Sequence, residues 1–160
     1  VYCHGVARLV GLVTIEMFGY RDPGCRDYAI QLGYALQLTN ILRDVGQDLA
    51  NGGRIYLPQE DLARFQCELT APNIQGTSGF LALMNFEADR ALGFFSAVRR
   101  ALPGADRKSM VAAEIMRAIY HRLLGKMRSD NFRVFSKRYR LSRLEKTWHV
   151  LRTILATKLS

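Results

Sequence analysis

The stretch from Leu36 to Pro58, LQLTNILRDVGQDLANGGRIYLP, narrows what this chain can fold into more than any other segment. At 100° per residue, Gly33, Gln37, Asn40, Asp44 and Asp48 share roughly an 80° sector of one helix. Leu38, Ile41, Leu42, Val45 and Leu49 occupy much of the remaining circumference. A helix that is apolar nearly all round belongs in an interior. Two carboxylates and two carboxamides in such a place are costly unless something polar or cationic fills the space before them. Neither aspartate has a Lys or Arg at i+4 to pair with. A hard divalent cation would accept oxygens from both, and Mg²⁺ commonly takes one or two carboxylates together with substrate phosphates. The residues therefore predict a Mg²⁺–phosphate site on a helix wall rather than a solvated acidic face. Removing a charge at Asp44 or Asp48 should relieve their repulsion and leave the fold intact.

Around this helix the pattern is helical throughout, with almost no strand signal. Residues 2–18 place Val6, Leu9, Val10, Val13 and Met17 at helical spacing. Arg21-Asp22-Pro23-Gly24 reads as a turn, and the long helix is expected over 28–49, stopped by Asn51-Gly52-Gly53. A short helix is expected over 59–66 and a loop over 67–79. Ser78 is the expected cap of a helix to about residue 102, burying Phe80, Leu83, Met84, Leu92 and Phe95. Leu102-Pro103-Gly104 breaks it, and another helix is expected over 106–127. Ser142 and Glu145 form a capping box that opens a last helix to about residue 158. Nothing divides the 160 residues, so residues 1–160 are read as one all-α domain. Helices of this length with short connections can enclose an apolar cavity with a polar mouth.

No apolar run approaches 18 residues, so no transmembrane helix is expected. Cys3, Cys25 and Cys67 lack a CxxC spacing and read as small buried hydrophobes of a reducing cytoplasm. His4, His121 and His149 show no ligand spacing. A Ser/His/Asp arrangement, a P-loop and a dinucleotide fingerprint are all missing from the sequence. The net charge of +9 is concentrated late, with Lys126, Arg128, Arg133, Lys137, Arg138, Arg140, Arg143 and Lys146 opposed only by Asp130 and Glu145. Such a block suits an anionic membrane surface. Nucleic acid is not expected as a partner, since no recognition motif accompanies the charge.

The run Leu36-Gln37-Leu38-Thr39-Asn40-Ile41-Leu42-Arg43-Asp44, then Asp48, then Gly53-Arg54-Ile55-Tyr56-Leu57-Pro58, resembles the second aspartate-rich motif of the head-to-head isoprenyl diphosphate synthases, the squalene/phytoene synthase family. Gln47 stands where that family commonly has Glu, which leaves the DxxxD spacing intact. Tyr2-Cys3-His4-Gly5-Val6-Ala7-Arg8-Leu9-Val10-Gly11 is similar to the family's YCxxVAGxVG helix, with Arg8 in place of a small residue. Ile119-Tyr120-His121-Arg122-Leu123-Leu124 resembles its YxxIL segment, and Lys137-Arg138 follow where a basic residue is expected. The family's other aspartate-rich motif does not precede Tyr2, so the chain is expected to be the C-terminal part of a longer enzyme, carrying half of the metal site.

The resemblance implies an isoprenoid synthase-type helical bundle with a central apolar cavity, here without its N-terminal helices. It implies a Mg²⁺-dependent prenyltransferase, with Mn²⁺ as the alternative ion, that condenses two prenyl diphosphates head-to-head. Two farnesyl diphosphates giving presqualene diphosphate or squalene is the first expectation; two geranylgeranyl diphosphates giving phytoene is the alternative. NADPH would be needed only for squalene. Asn40, Asp44 and Asp48 would hold the metal, with Asp44 and Asp48 catalytic. Gln37 would bond a diphosphate or a metal-bound water. Arg43 would give charge to the phosphates or orient neighbouring carboxylates, and Tyr2 would handle a proton or steady cationic charge. Tyr120 and Arg138 are the expected phosphate contacts, while Arg54 and Tyr56 could cover the mouth. The expected place is the cytoplasm, with peripheral contact at an anionic membrane. A non-catalytic subunit of the same fold is the competing reading.

Overall fold

The computed structural model describes residues 2–71 and 73–158, without the side chains of Tyr2, Cys3, His4, Val6 and Val10. Among the described residues there are six α-helices, one short 3-10 turn and no strand. They are α1 (Tyr2–Phe18), α2 (Cys25–Ala50), α3 (Gln59–Arg64), α4 (Ser78–Ala101), the turn Gly104–Asp106, α5 (Val111–Ser129) and α6 (Arg143–Lys158). The all-α expectation holds. The long helix starts three residues earlier than expected because Asp22 caps the turn before it, its carboxylate accepting from the Gly24 N–H at 2.8 Å. The cap of α4 is Thr77 rather than Ser78, its hydroxyl accepting from the Phe80 N–H. The capping box of α6 forms as expected: Ser142 N–H donates to Glu145 Oε2 at 2.7 Å, and Glu145 N–H donates to Ser142 Oγ at 3.2 Å.

α2 is the centre of the packing. It buries ten residues, among them Ala35, Leu38, Ile41, Leu42 and Val45, and its main partners are α4 and α1. Backbone lies directly on it at two glycines. A Cβ on Gly33 would stand 2.4 Å from the Ala7 carbonyl oxygen, and one on Gly46 would stand 2.4 Å from that of Val134. Gly33 is therefore a contact with α1, and not part of an open polar face as its wheel position suggested. Gly11 approaches the Ala29 carbonyl in the same way, so α1 and α2 run antiparallel. The paired positions point the start of α1 toward the Gln37–Asn40 turn of α2.

α1 turns out differently from its apolar pattern. Ala7 and Ile15 are buried, whereas Leu9, Val13 and Met17 face outward. At the far end Asp106, itself buried, accepts from the N–H groups of Arg21 and Asp22 at 2.8 and 2.9 Å and from the Cys25 thiol at 3.3 Å. These bonds staple the α1–α2 turn to the 3-10 turn. Burial, with that carboxylate beside it, pushes the Cys25 thiol up to about 12. Cys25 and Cys67 are free and buried, as expected of inert core thiols.

One buried ionic group joins α3 to α4. Arg90 Nη1 lies 2.9 Å from Glu87 Oε1 and 3.0 Å from Asp61 Oδ2. Glu87 is fully buried, and burial followed by a hydrogen bond with Asp61 pushes its carboxyl up to about 7. An unfolded glutamate releases its proton well below that value. The stabilisation from the shared proton is thus present at low pH and lost as pH rises through about 7. Melting of the protein should accordingly fall by roughly 5–10 °C between about pH 5 and pH 8, at about 2–4 °C per kcal/mol lost. Glu87→Gln should flatten that slope, and an unchanged slope in the variant would contradict the assignment.

Candidate functional site

The polar edge of α2 survives in the fold. Asn40, Asp44 and Asp48 are each half-buried along one line of the helix, with Gln37 beside them. The Oδ1 of Asn40 is buried and accepts no hydrogen bond, which is rare for a buried acceptor. Behind the edge, Thr39 closes its hydroxyl onto the Ala35 carbonyl at 2.7 Å and so asks nothing of the neighbouring space. An orphaned amide oxygen one turn before a carboxylate, with a second carboxylate one turn further, is a hard-oxygen donor set that fits a divalent cation. Among the described residues, no group of three or more His, Cys, Asp or Glu side chains gathers into a metal site.

Arg43 pairs with its own neighbour on α2. Its Nε donates to Asp44 Oδ1 at 2.9 Å and a terminal nitrogen donates to Asp44 Oδ2 at 2.5 Å, a two-pronged pair with its own neighbour. Adjacent residues on a helix point about 100° apart, so Arg43 meets Asp44 from the side rather than along a shared face. The long guanidinium arm reaches round. The carboxylate holds the proton on Arg43 more firmly than usual, burial works against it, and the Tyr120 hydroxyl also lies against the guanidinium. Tyr120 on α5, Arg43 and Asp44 are thereby brought together. The contact is of the kind the orienting role requires, and each Asp44 oxygen keeps a further lone pair.

At its C-terminus α2 stops on Gly52 and Gly53, both at positive φ. The N–H groups of Gly53 and Arg54 satisfy the carbonyls of Leu49 and Asp48. The chain then folds back so that Arg54, Ile55, Tyr56 and Leu57 line a crevice with Asp48, Ile41 and Val45. Arg54 and Tyr56 thus stand beside the second aspartate. Arg138 is exposed and joins no ion pair with a described carboxylate. The side chain of Tyr2 lies outside the described residues. Two surface cavities lie elsewhere: one of about 470 Å³ lined by Leu62, Cys67 and Leu69, another of about 670 Å³ beside Arg21, Arg107 and Lys108.

The pattern of the Squalene/phytoene synthase family matches residues 1–145. The chain belongs to that family. A phytoene synthase of Mycobacterium tuberculosis is 40% identical over 150 residues, covering 91% of this chain and 49% of the relative. A 15-cis-phytoene synthase of Synechocystis is 36% identical over 152 residues, covering 86% and 44%. The chain thus spans about half the length of the curated relatives it matches. A dehydrosqualene synthase crystal structure superposes with a TM-score of 0.84 at 30% identity, covering 99% of this chain and 56% of that one. The squalene synthase HpnC of Alicyclobacillus acidocaldarius gives 0.68 at 28% identity, covering 82% and 50%. The isoprenoid synthase-type helical fold expected from the motifs is borne out.

The Arg43–Asp44 pair changes one expectation about substitution. Asp44→Asn removes a favourable ion pair as well as a repulsion, so the variant should lose about 1 kcal/mol of stability rather than gain any. Asp48→Asn, which has no such pair, should be close to neutral. Urea unfolding of the two variants measures the difference, and equal stability would contradict the pair's role.

Proposed function

We propose that the protein carrying this chain condenses two prenyl diphosphates head-to-head, with α2 as the diphosphate-binding wall. The single observation behind this is the orphaned Asn40 oxygen in line with Asp44 and Asp48 on an otherwise apolar helix. Asn40, Asp44 and Asp48 would hold Mg²⁺, or Mn²⁺ in its place, which when bound supplies the charge neutralisation that lets a diphosphate leave. Gln37 would bond a diphosphate oxygen or a water of the ion's shell. Arg43 fixes the Asp44 carboxylate in one orientation and itself leans on Tyr120. Arg54 and Tyr56 would close over the mouth at Asp48, and Arg138, between α5 and α6, would add a phosphate contact. Leu9, Val13 and Met17 on α1 would turn an apolar, water-excluding face to the prenyl chains. Tyr2 retains its role at the cationic centre as a proposal from the motif alone.

Between the two substrate lengths, the relatives named phytoene synthase, from 30% to 40% identical, support the C20 reaction giving phytoene. This reverses the order suggested by the sequence. The C15 route to presqualene diphosphate or squalene is the second reading, supported by the likeness to dehydrosqualene and squalene synthase structures; only squalene itself would require NADPH. Peripheral contact with an anionic membrane from the cytoplasm, where long prenyl products partition, completes the proposal. No described helix is long and apolar enough to cross a membrane.

Product analysis on the complete protein with Mg²⁺, offering the C15 and C20 diphosphates separately, tests this directly. Phytoene from the C20 substrate is expected. A C30 cyclopropyl diphosphate would move the assignment to the second reading, and no product from either would favour a non-catalytic subunit.

A further inference from the structure

We infer that α6 is an amphipathic docking helix for an anionic lipid surface, lying flat on it with the Leu144, Trp148, Leu151 and Leu155 edge inserted. This rests on the peripheral-membrane reading above and names the surface responsible. At 100° per residue these four side chains fall within roughly 60° of one another. They are 84%, 63%, 53% and 60% exposed, respectively. The inner side of the helix, which packs on α5, holds the half-buried His149, Val150, Thr153, Ile154 and Thr157 and buries none of its residues fully. A surface helix of a globular domain normally shows the reverse arrangement, with its larger apolar residues inward. Here the more hydrophobic edge is the outer one.

Charge decides what covers it. Arg152 and Lys158 flank the stripe, Arg143 and Lys146 stand at the helix start, and Arg133, Arg138 and Arg140 lead into it, all exposed. From residue 131 onward Glu145 is the only acid. It is already engaged by the Ser142 N–H and by Lys126 at 3.5 Å. Lys126, Arg128 and Lys137, expected to share in a basic face, are instead paired with Glu145, Asp89 and Asp130. The cationic surface thus lies further along than the sequence block suggested, around α6. A second copy of the chain would set these like charges against each other. An anionic bilayer meets both features: leucines enter the acyl boundary, basic side chains take the headgroups, and tryptophan sits at the level between.

Trp148 is the only tryptophan in the chain, so its emission reads this helix alone. The full chain is mixed with vesicles of phosphatidylcholine, with and without phosphatidylglycerol, and followed by flotation, fluorescence and quenching by brominated acyl chains. Anionic vesicles should carry the protein, shift Trp148 emission to shorter wavelength and expose it to the bromine. Leu151→Glu with Leu155→Glu should abolish flotation without changing the far-ultraviolet circular dichroism. Arg152→Gln with Lys158→Gln should weaken partitioning by about 25-fold at low salt, about fivefold for each charge. Equal binding to neutral vesicles, or binding retained in the double-Glu variant, would overturn the inference. So would a dimer dissolved by the same substitutions without vesicle binding, or a Trp148 shielded before any lipid is added. Prenyl transfer by the complete protein, measured in detergent, reports the α2 wall and should be unmoved by the α6 variants, so failure of either reading can be told from failure of the other.

Discussion

The close approach of backbone to α2 on two sides fixes where the polar edge of that helix can point. Ala7 of α1 lies against Gly33, and Val134 lies against Gly46, each too near for a side chain to intervene. Leu42, Ala35 and Thr39 are sealed behind, against α4 and the core that includes Phe80, Leu83, Met84 and Met127. Held in this way α2 cannot roll, and Asn40, Asp44 and Asp48 keep one heading. A site whose chemistry depends on oxygens set one helical turn apart needs that rigidity more than it needs any particular neighbour.

Within the site the energetic problem of two aspartates one turn apart is eased by Arg43. Its guanidinium covers Asp44 while Tyr120 steadies it from α5. A charge that is neutralised but not consumed suits the proposed diphosphate wall, since the remaining lone pairs of Asp44 stay available. Asn40 is left without a partner by the same packing. An unsatisfied buried acceptor is a cost that a structural role does not explain and a ligand would.

Much of this was legible in the sequence. The helical periods, the capping box at Ser142 and Glu145, the glycine stop after α2 and the polar edge itself follow from local rules, and local rules hold where one element decides the outcome. What stayed hidden depends on partners. The Arg43–Asp44 contact was open in the sequence as one of two roles for Arg43, because i, i+1 residues share no helix face and only the length of arginine lets it reach round. The role of Gly33 appears only once α1 lies across it. The outward turn of Leu9, Val13 and Met17, and of the α6 leucines, is invisible to a periodicity that finds a stripe without saying what the stripe faces.

The central claim is that the Asn40–Asp44–Asp48 edge takes a diphosphate together with a divalent cation. Calorimetric titration of the complete protein with inorganic diphosphate, in the presence and absence of Mg²⁺, addresses it without any turnover. Binding should require Mg²⁺ and should be lost in Asp44→Asn combined with Asp48→Asn. Diphosphate binding of equal strength without Mg²⁺, or unchanged in that double variant, would contradict the account.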